Sequence, residues 1–309
     1  MMLLCAAALL SATPAVAETV KIVVPFAAGG LVDQLARLLG HELGPLLGAD
    51  VIVEDKGGAG GAIGSETVAR ATPDGTTILL ASMGSHVISP TLRPPSGYDP
   101  VKSFEPVMMV GSVPSLLVVG PKPGVSTLKE LIAKAKTQSM TYGSAGPGTT
   151  MNIAGEMLNA AAGLKIAHVP YRGAAPALTD LMGGHLDMLN ADFPVLLPLV
   201  KAGKIKALAV YGAERSPLLP DVPTTAELGL PDVVMESWYG VFLPAGTPKP
   251  VHDKLEKALF AAVALPTVKE RLAASGMRGA LDSAAFKARL AKDFPYWQDT
   301  IKKLGIKVE

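Results

Sequence analysis

Short runs of β-branched and aliphatic residues alternate along the chain with segments whose apolar positions recur every three or four residues. Val20-Lys21-Ile22-Val23-Val24 predicts a strand, and Leu31, Val32, Leu35, Leu38 and Leu39 then fall at helical spacing. Val51-Ile52-Val53 predicts a second strand, followed by a Gly-rich turn and a helix near Ser65 to Arg70. Thr76 to Ala81 predicts a third strand. Met140-Thr141-Tyr142, Ile166 to Val169, Leu186 to Leu189 and Ile205 to Val210 repeat the scheme with helices between them. Strands that alternate with helices in this way imply an α/β protein with mostly parallel sheets.

Two helix starts carry their own signal. Thr127-Leu128-Lys129-Glu130 and Thr224-Thr225-Ala226-Glu227 both place a hydroxyl at the cap and a carboxylate three residues on, the capping-box arrangement. Pro and Gly are spread throughout, so no single linker marks a domain boundary. The extended stretches Leu116 to Val119 and Trp238 to Leu243 are the candidates for crossings between lobes. Two crossings make one lobe discontinuous, with 18–118 and 237–309 forming the first lobe and 119–236 the second. The chain from Pro250 onward reads as helices that close on the first lobe. No repeat of solenoid period is visible.

Composition narrows the function. A formal net charge of +1 on 309 residues argues against nucleic acid, which needs clustered Lys and Arg to neutralise phosphates. No basic run suggests a membrane-surface patch. The first residues differ from the rest: Met1 to Leu10 is almost wholly apolar and leads to Ala15-Val16-Ala17. Such a run ending in A-x-A predicts a secretory signal over residues 1–17, cleaved after Ala17, and so a periplasmic mature protein. No Lys or Arg precedes the run, so the true translation start stays open. Cysteine use agrees with export, because the only Cys is Cys5, inside that leader. No other segment has the ~18 uninterrupted apolar residues of a transmembrane helix.

Two loops stand out for chemistry. Pro25-Phe26-Ala27-Ala28-Gly29-Gly30-Leu31-Val32-Asp33 is a strand end, a Gly-Gly turn and a helix start. The glycines let backbone approach a ligand, and the opening helical turn offers unpaired N–H groups to an anion. Tyr142-Gly143-Ser144-Ala145-Gly146-Pro147-Gly148-Thr149-Thr150 repeats the design, with Ser144, Thr149 and Thr150 adding hydroxyls. Each loop alone is equally readable as a tight turn with a capped helix. The run Gly57 to Gly64 is not a nucleotide loop: reading G-x-G-x-x-G from Gly58 places Ile63 at the last glycine, and no Lys-Ser/Thr pair follows. It reads as a structural turn.

Enzyme signatures are missing. Tyr142 stands two positions before Ser144, where a G-x-S-x-G elbow needs glycine. His41, His86, His168, His185 and His252 never form H-x-H or H-E-x-x-H, so no metal and no cofactor is expected. His86 could reach a cleft, although a hydrogen-bonded loop histidine is the plainer role.

Five blocks resemble one family in order along the chain. They are PFAAGGLVDQLARLLG (Pro25 to Gly40), VEDKGGAGGAIGSETVARATPDGTTILLAS (Val53 to Ser82), YGSAGPGTTMNIAGEML (Tyr142 to Leu158), HVPYRGAAPALTDLMGGHLDML (His168 to Leu189) and SWYGVFLPAGTPKPV (Ser237 to Val251). Together they resemble the Bug-type solute receptors of tripartite tricarboxylate transporters. The resemblance implies a two-lobed periplasmic-binding-protein fold of type II-like form. Each lobe would be a mostly parallel sheet flanked by helices, with the ligand cleft between them. It implies a small-molecule carboxylate ligand, and more loosely membrane permease subunits as partners, with the receptor itself a monomer.

The family's gripping loops map onto Phe26 to Asp33, including Gly29 and Gly30, and onto Ser144 to Thr150, including Thr149. Tyr171, Gly173 and Asp192 map to the second lobe's cleft wall. The family holds its carboxylate largely through backbone N–H groups, hydroxyls and water, which agrees with loops free of Arg and Lys. Relatives usually carry Pro or a small polar residue after the Gly-Gly pair, whereas this chain has Leu31-Val32, and Ser89-Pro90 stands where Asn-Pro is common. Leu31, Val32 and Met83 are therefore expected to line the first-lobe rim. The alternative for Leu31 and Val32 is that they face the core as part of the helix stripe. An apolar rim favours a mono- or dicarboxylate with an apolar or aromatic body over a tricarboxylate. Two rival functions remain at this level: a receptor that feeds a sensor, and an α/β enzyme using Ser144 or His86.

Overall fold

The structure, a computed structural model, describes residues 19–93 and 97–306. The leader predicted over residues 1–17, with Cys5, lies outside the described residues. The elements run β1 (Thr19–Val24), α1 (Leu31–Leu47), β2 (Asp50–Asp55), α2 (Ala62–Ala69) and β3 (Thr77–Ser82). A π-helical turn at Gly84–Ile88 and the short α3 (Ser89–Leu92) lead to a long strand, β4 (Phe104–Val119). Then follow α4 (Leu128–Ala135), β5 (Thr141–Ser144), α5 (Thr150–Ala162), β6 (Ala167–Pro170), α6 (Ala174–Met182), β7 (Met188–Asp192), α7 (Phe193–Lys201) and β8 (Lys206–Val210). The chain closes with β9 (Glu236–Pro244), α8 (Lys249–Ala264), α9 (Pro266–Ala274) and α10 (Ser283–Leu304).

The strands form one path, β2-β1-β3-β9-β4-β7-β5-β6, with β8 also on β4. Two sheets share β4. Its first part pairs with β9 from Phe104 to Pro114, and from Ser115 onward it pairs with β7 and β8. The chain returns beside the same point: Met235 N–H bonds Tyr211 O and Ser115 N–H bonds Met235 O just before β9 begins. The sheets are mixed. Pairs β1–β2, β1–β3, β5–β6 and β5–β7 are parallel, while β4 and β9 run antiparallel to their neighbours. A chain that leaves along one strand and returns along the next must set those two in opposite directions.

Period-2 alternation distributes the side chains to two faces. Val20, Ile22 and Val24 of β1 enter one core cluster, and Val23 enters the other. Leu116 and Val118 of β4 join the first cluster, Leu117 and Val119 the second. Helices α1, α6, α7 and α8 cover the first face; α2, α4, α5 and α10 cover the second. Buried polar contacts tie the layers: the Trp238 indole N–H on β9 donates to Asp293 on α10 at 2.7 Å. Among the described residues no helix is long and apolar enough to cross a membrane.

The two capping boxes part company. Glu130 N–H donates to Thr127 Oγ1 at 3.2 Å at the start of α4. At the second, the bonds are reciprocal: Glu227 N–H donates to Thr224 Oγ1 (3.1 Å) and Thr224 N–H to Glu227 (2.7 Å). No helix follows there, only turns. Gly229 takes a left-handed φ of 86° and Pro231 comes two residues later, so the helix is stopped before its first turn repeats.

Candidate functional site

A small cavity opens where the two sheets face each other. It is lined by Phe26, Gly30, Leu31 and Val32 from the first sheet's side, with Ser82 and Tyr239. Ala145, Thr149, Thr150, Met151, Ala174 and Asp192 line it from the second. Its space is about 40 Å³, room for roughly three ordered waters or one carboxylate group. The surrounding contacts are tight: Ala27 N–H donates to Arg172 O across the cleft at 3.2 Å.

Four helix beginnings meet at this cavity. Leu31, Thr150 and Ala174 are the first residues of α1, α5 and α6, and Asp192 is the N-cap of α7. The first turn of each helix carries N–H groups with no partner inside the helix, and its dipole adds a partial positive charge. No Lys, Arg or His is among the lining residues. An anion placed there would be met by backbone N–H groups and helix dipoles rather than by a charged side chain.

The two loops are shaped by their own side chains. Thr149 caps α5, accepting from Asn152 N–H at 3.4 Å and donating to Gly146 O at 2.7 Å. Gly148 N–H donates to Asn152 Oδ1 at 3.0 Å, and Gly146 N–H to Ser144 Oγ at 3.0 Å. Thr149→Ala is expected to cost about 1 kcal/mol of stability through the lost cap, read as a lower midpoint in chemical denaturation. In the first loop, Gly29 N–H donates to Asp33 Oδ2 at 2.8 Å, and Asp33 also pairs with Arg37 at 2.7 Å.

The predicted site residues thus divide. Phe26, Gly30, Thr149, Thr150 and Asp192 line the cavity. Leu31 and Val32 fulfil both readings offered for them, since each is buried in the first core cluster and each forms cavity wall. Gly29 and Asp33 stand just behind, and because they bond each other the Gly29 N–H is engaged within the loop. Ser144 is buried behind its loop, and the Tyr171 hydroxyl turns away to Asp180 at 2.6 Å. Gly173 packs against Ala27, where an added Cβ would lie 3.2 Å from that residue's own. Met83 does not form the rim. It lies in the second core cluster, 1% exposed, because Ser82 faces the cavity and its successor must turn the other way. Ala145, Met151, Ala174, Ser82 and Tyr239 were not read as site residues; the last two sit on strands from distant parts of the sequence.

Electrostatics single out Asp192 and Tyr239. Burial pushes the Asp192 carboxyl up to about 6, against a smaller opposing effect of the Tyr239 hydroxyl. Burial, with the Asp192 charge beside it, pushes the Tyr239 hydroxyl well above its ordinary value. Neither Asp192 Oδ1 nor the Tyr239 hydroxyl has a hydrogen-bond partner of proper geometry.

The sequence profile of the tripartite tricarboxylate transporter family receptors, the TctC family, matches residues 35–306. The chain belongs to that family. Among solved structures, it is similar to the periplasmic binding protein BugD at 38% identity, with a TM-score of 0.90 over 94% of this chain and 99% of that one. It is similar to MatC from Rhodopseudomonas palustris with bound malate at 32% identity, TM-score 0.86, covering 92% of this chain and 98% of that one. It is also similar to R. palustris Rpa4515 with adipate at 31% identity, TM-score 0.89, covering 94% and 98%. The TctC receptor family and the periplasmic-binding-protein fold make this chain a solute-binding receptor, and both are those of binding proteins rather than enzymes.

The two enzyme candidates take structural roles in this receptor. Ser144 Oγ meets His168 Nε2 at 2.6 Å, a pair invisible in sequence across 24 residues. Yet Ser144 is 0% exposed and its oxygen already accepts the Gly146 N–H, so the pair braces the loop. His86 does not reach the cleft. It is buried with its ring stacked on Phe242 at 3.9 Å and edge-on to Phe104 at 5.1 Å.

Proposed function

We propose that this TctC-family receptor works in the periplasm after loss of residues 1–17, as a monomer, closing its two lobes over one small organic carboxylate and performing no chemistry on it. The ligand then passes to permease subunits of a tripartite transporter. The observation that carries the reading is the meeting of four helix N-termini on one cavity that has no basic side chain. A single carboxylate group fits the number of donors there and the space. Relatives bound to malate and to adipate support the same ligand class. The walls supplied by Phe26, Leu31, Val32 and Met151 favour a mono- or dicarboxylate with an apolar body over citrate.

The lobes would move about the paired crossings near Pro114–Ser115 and Met235–Glu236, with β1 to β3, β4 up to Pro114 and the chain from Glu236 on one side and the stretch from Ser115 to Met235 on the other. A binding site assembled from both lobes is complete only when they approach, so ligand favours the closed form. A thermal-shift screen tests the function. Adipate, malate or another acid with a short apolar body should raise the melting temperature, at saturation by several degrees for ~2–4 kcal/mol of linkage. Stabilisation by citrate alone would refute the apolar-body reading, and no response to any carboxylate would refute the ligand class.

A further inference from the structure

Asp192 is the N-cap residue of α7, yet its side chain makes no cap hydrogen bond. Aspartate is among the strongest N-cap residues, and forgoing that bond normally costs stability. The carboxylate lines the cavity instead, with Oδ1 shut off from solvent and unpartnered. Facing it is Tyr239, 1% exposed and part of the same cavity wall, whose hydroxyl is close enough to act on Asp192 but makes no hydrogen bond of proper geometry. Asp192 belongs to β7 of the second sheet and Tyr239 to β9 of the first. A buried acceptor and a buried hydroxyl without partners are costly unless something completes them.

The geometry points to Asp192 and Tyr239, one from each lobe, as the pair that reads the ligand's far end: Asp192 admits a second carboxylate there only when protonated, and when ionised it requires a hydroxyl or other hydrogen-bond donor. This rests on the carboxylate-binding reading and deepens it. The helix N-termini hold one carboxylate. A dianionic ligand then brings its second charge to a partly buried carboxylate whose Oδ1 is shut off from solvent, with no cation among the described lining residues, and two carboxylates can share that place only around one proton. A hydroxy acid meets no such conflict, since its O–H can donate to the ionised Asp192.

The groups around Asp192 are few. Tyr239 from β9 faces it, Ser115 of β4 lies opposite it in register, and α5 contributes the hydroxyls of Thr149 and Thr150. His168 sits under the α5 loop on Ser144; burial holds it below its ordinary value, so it stays neutral above pH 6.5. With Asp192 at about 6, adipate affinity should fall close to tenfold for each pH unit above that value, about fifty-fold between pH 6 and 8.

Isothermal titration calorimetry of the mature chain with adipate and with 6-hydroxyhexanoate, at pH 6, 7 and 8, tests this. Adipate should weaken about fifty-fold and take up close to one proton per ligand at pH 8, as read from buffers of different ionisation enthalpy. The hydroxy acid should bind with little pH dependence. Asp192→Asn, which keeps a donor at every pH, should bind adipate with a flat profile. The proton count in the unmodified protein decides the matter if that variant folds poorly. Adipate binding with no slope and no proton uptake would overturn the proposal, as would an unchanged slope in Asp192→Asn. If neither acid nor malate binds at any pH, the carboxylate reading itself falls, and this inference with it.

Discussion

Gly84→Ala should weaken carboxylate binding by roughly tenfold to a hundredfold while leaving the ligand-free protein folded. A Cβ at this position would lie 2.8 Å from the Thr150 amide nitrogen and 3.2 Å from Thr149 Cα. Both are backbone atoms at the start of α5, so neither can swing aside. Gly84 belongs to the first sheet's side and Thr150 to the second, and the collision therefore exists only where the lobes touch. Overpacking of this kind costs about 1–3 kcal/mol. Charged to the closed form alone, it appears almost entirely as lost affinity, at ~1.4 kcal/mol per decade. Titration calorimetry with adipate gives the affinity, and small-angle scattering should show a radius of gyration that no longer contracts on adding ligand. Unchanged affinity would mean that the lobes grip the ligand without this contact.

The second large effect is on acid stability, and two groups, the buried His86 and the partly buried Asp192, pull it in opposite directions. His86 lies among Phe104, Phe242 and Trp238. Burial pushes it down from its ordinary 6.5 to about 3, against a smaller upward effect of its bond to the Pro100 backbone. Its folded-state value is below the unfolded one, so its contribution is present above pH 6.5 and is lost as pH falls toward 3. The loss amounts to about 5 kcal/mol at ~1.4 per pH unit, a large share of an ordinary domain's stability. Asp192 has the opposite sign. Its folded value, about 6 against 3.8, means that acidification from 6 to 4 adds about 3 kcal/mol. The ligand-free protein should therefore show a stability plateau between pH 6 and 4 and a steep decline only below 4. Urea denaturation at closely spaced pH values reads this directly. In His86→Gln the decline below pH 4 should disappear, and in Asp192→Asn it should begin near 6.5. A wild-type decline that starts at 6.5 would show that Asp192 does not titrate where its burial places it.

The strands and most helices were legible because short aliphatic runs and the 3.6-residue period are local signals, as at β1, β3 and α1. The two loops that line the cavity were legible for the same reason, as glycine and hydroxyl residues next to a helix start. What local pattern could not give is what meets across the fold. Ser144 finds His168, Asp192 faces Tyr239, and Asp33 takes the Gly29 N–H that a ligand was expected to use. Met83 was misplaced by treating a loop residue as rim, when the alternation of β3 had already assigned Ser82 to the cavity. The Gly57 to Gly64 run was read as a turn; it is one only as far as Gly61, and Ala62 to Gly64 already belong to α2. Its closeness to the other lobe was hidden: an added Cβ at Gly60 would fall 2.5 Å from Pro147 O. The failed helix after Thr224 shows a cap signal outvoted by the Gly and Pro that follow it.

The shared strand β4 also sets an order of assembly. Every strand of the second sheet, from Ser115 to Val210, comes from one continuous stretch, so that half can form without the residues that follow it. The first sheet cannot. Its β3 pairs with β9, Leu79 with Phe242, and its second face is closed by α10, which ends at Leu304. Closing so long a loop is slow, and until β9 and the last helix arrive the edge of β3 and the face of β4 under α10 stay open. The part of the first sheet that is synthesised first therefore waits for the last elements of the chain before it can close, whereas the second sheet, made in between, needs nothing that follows it.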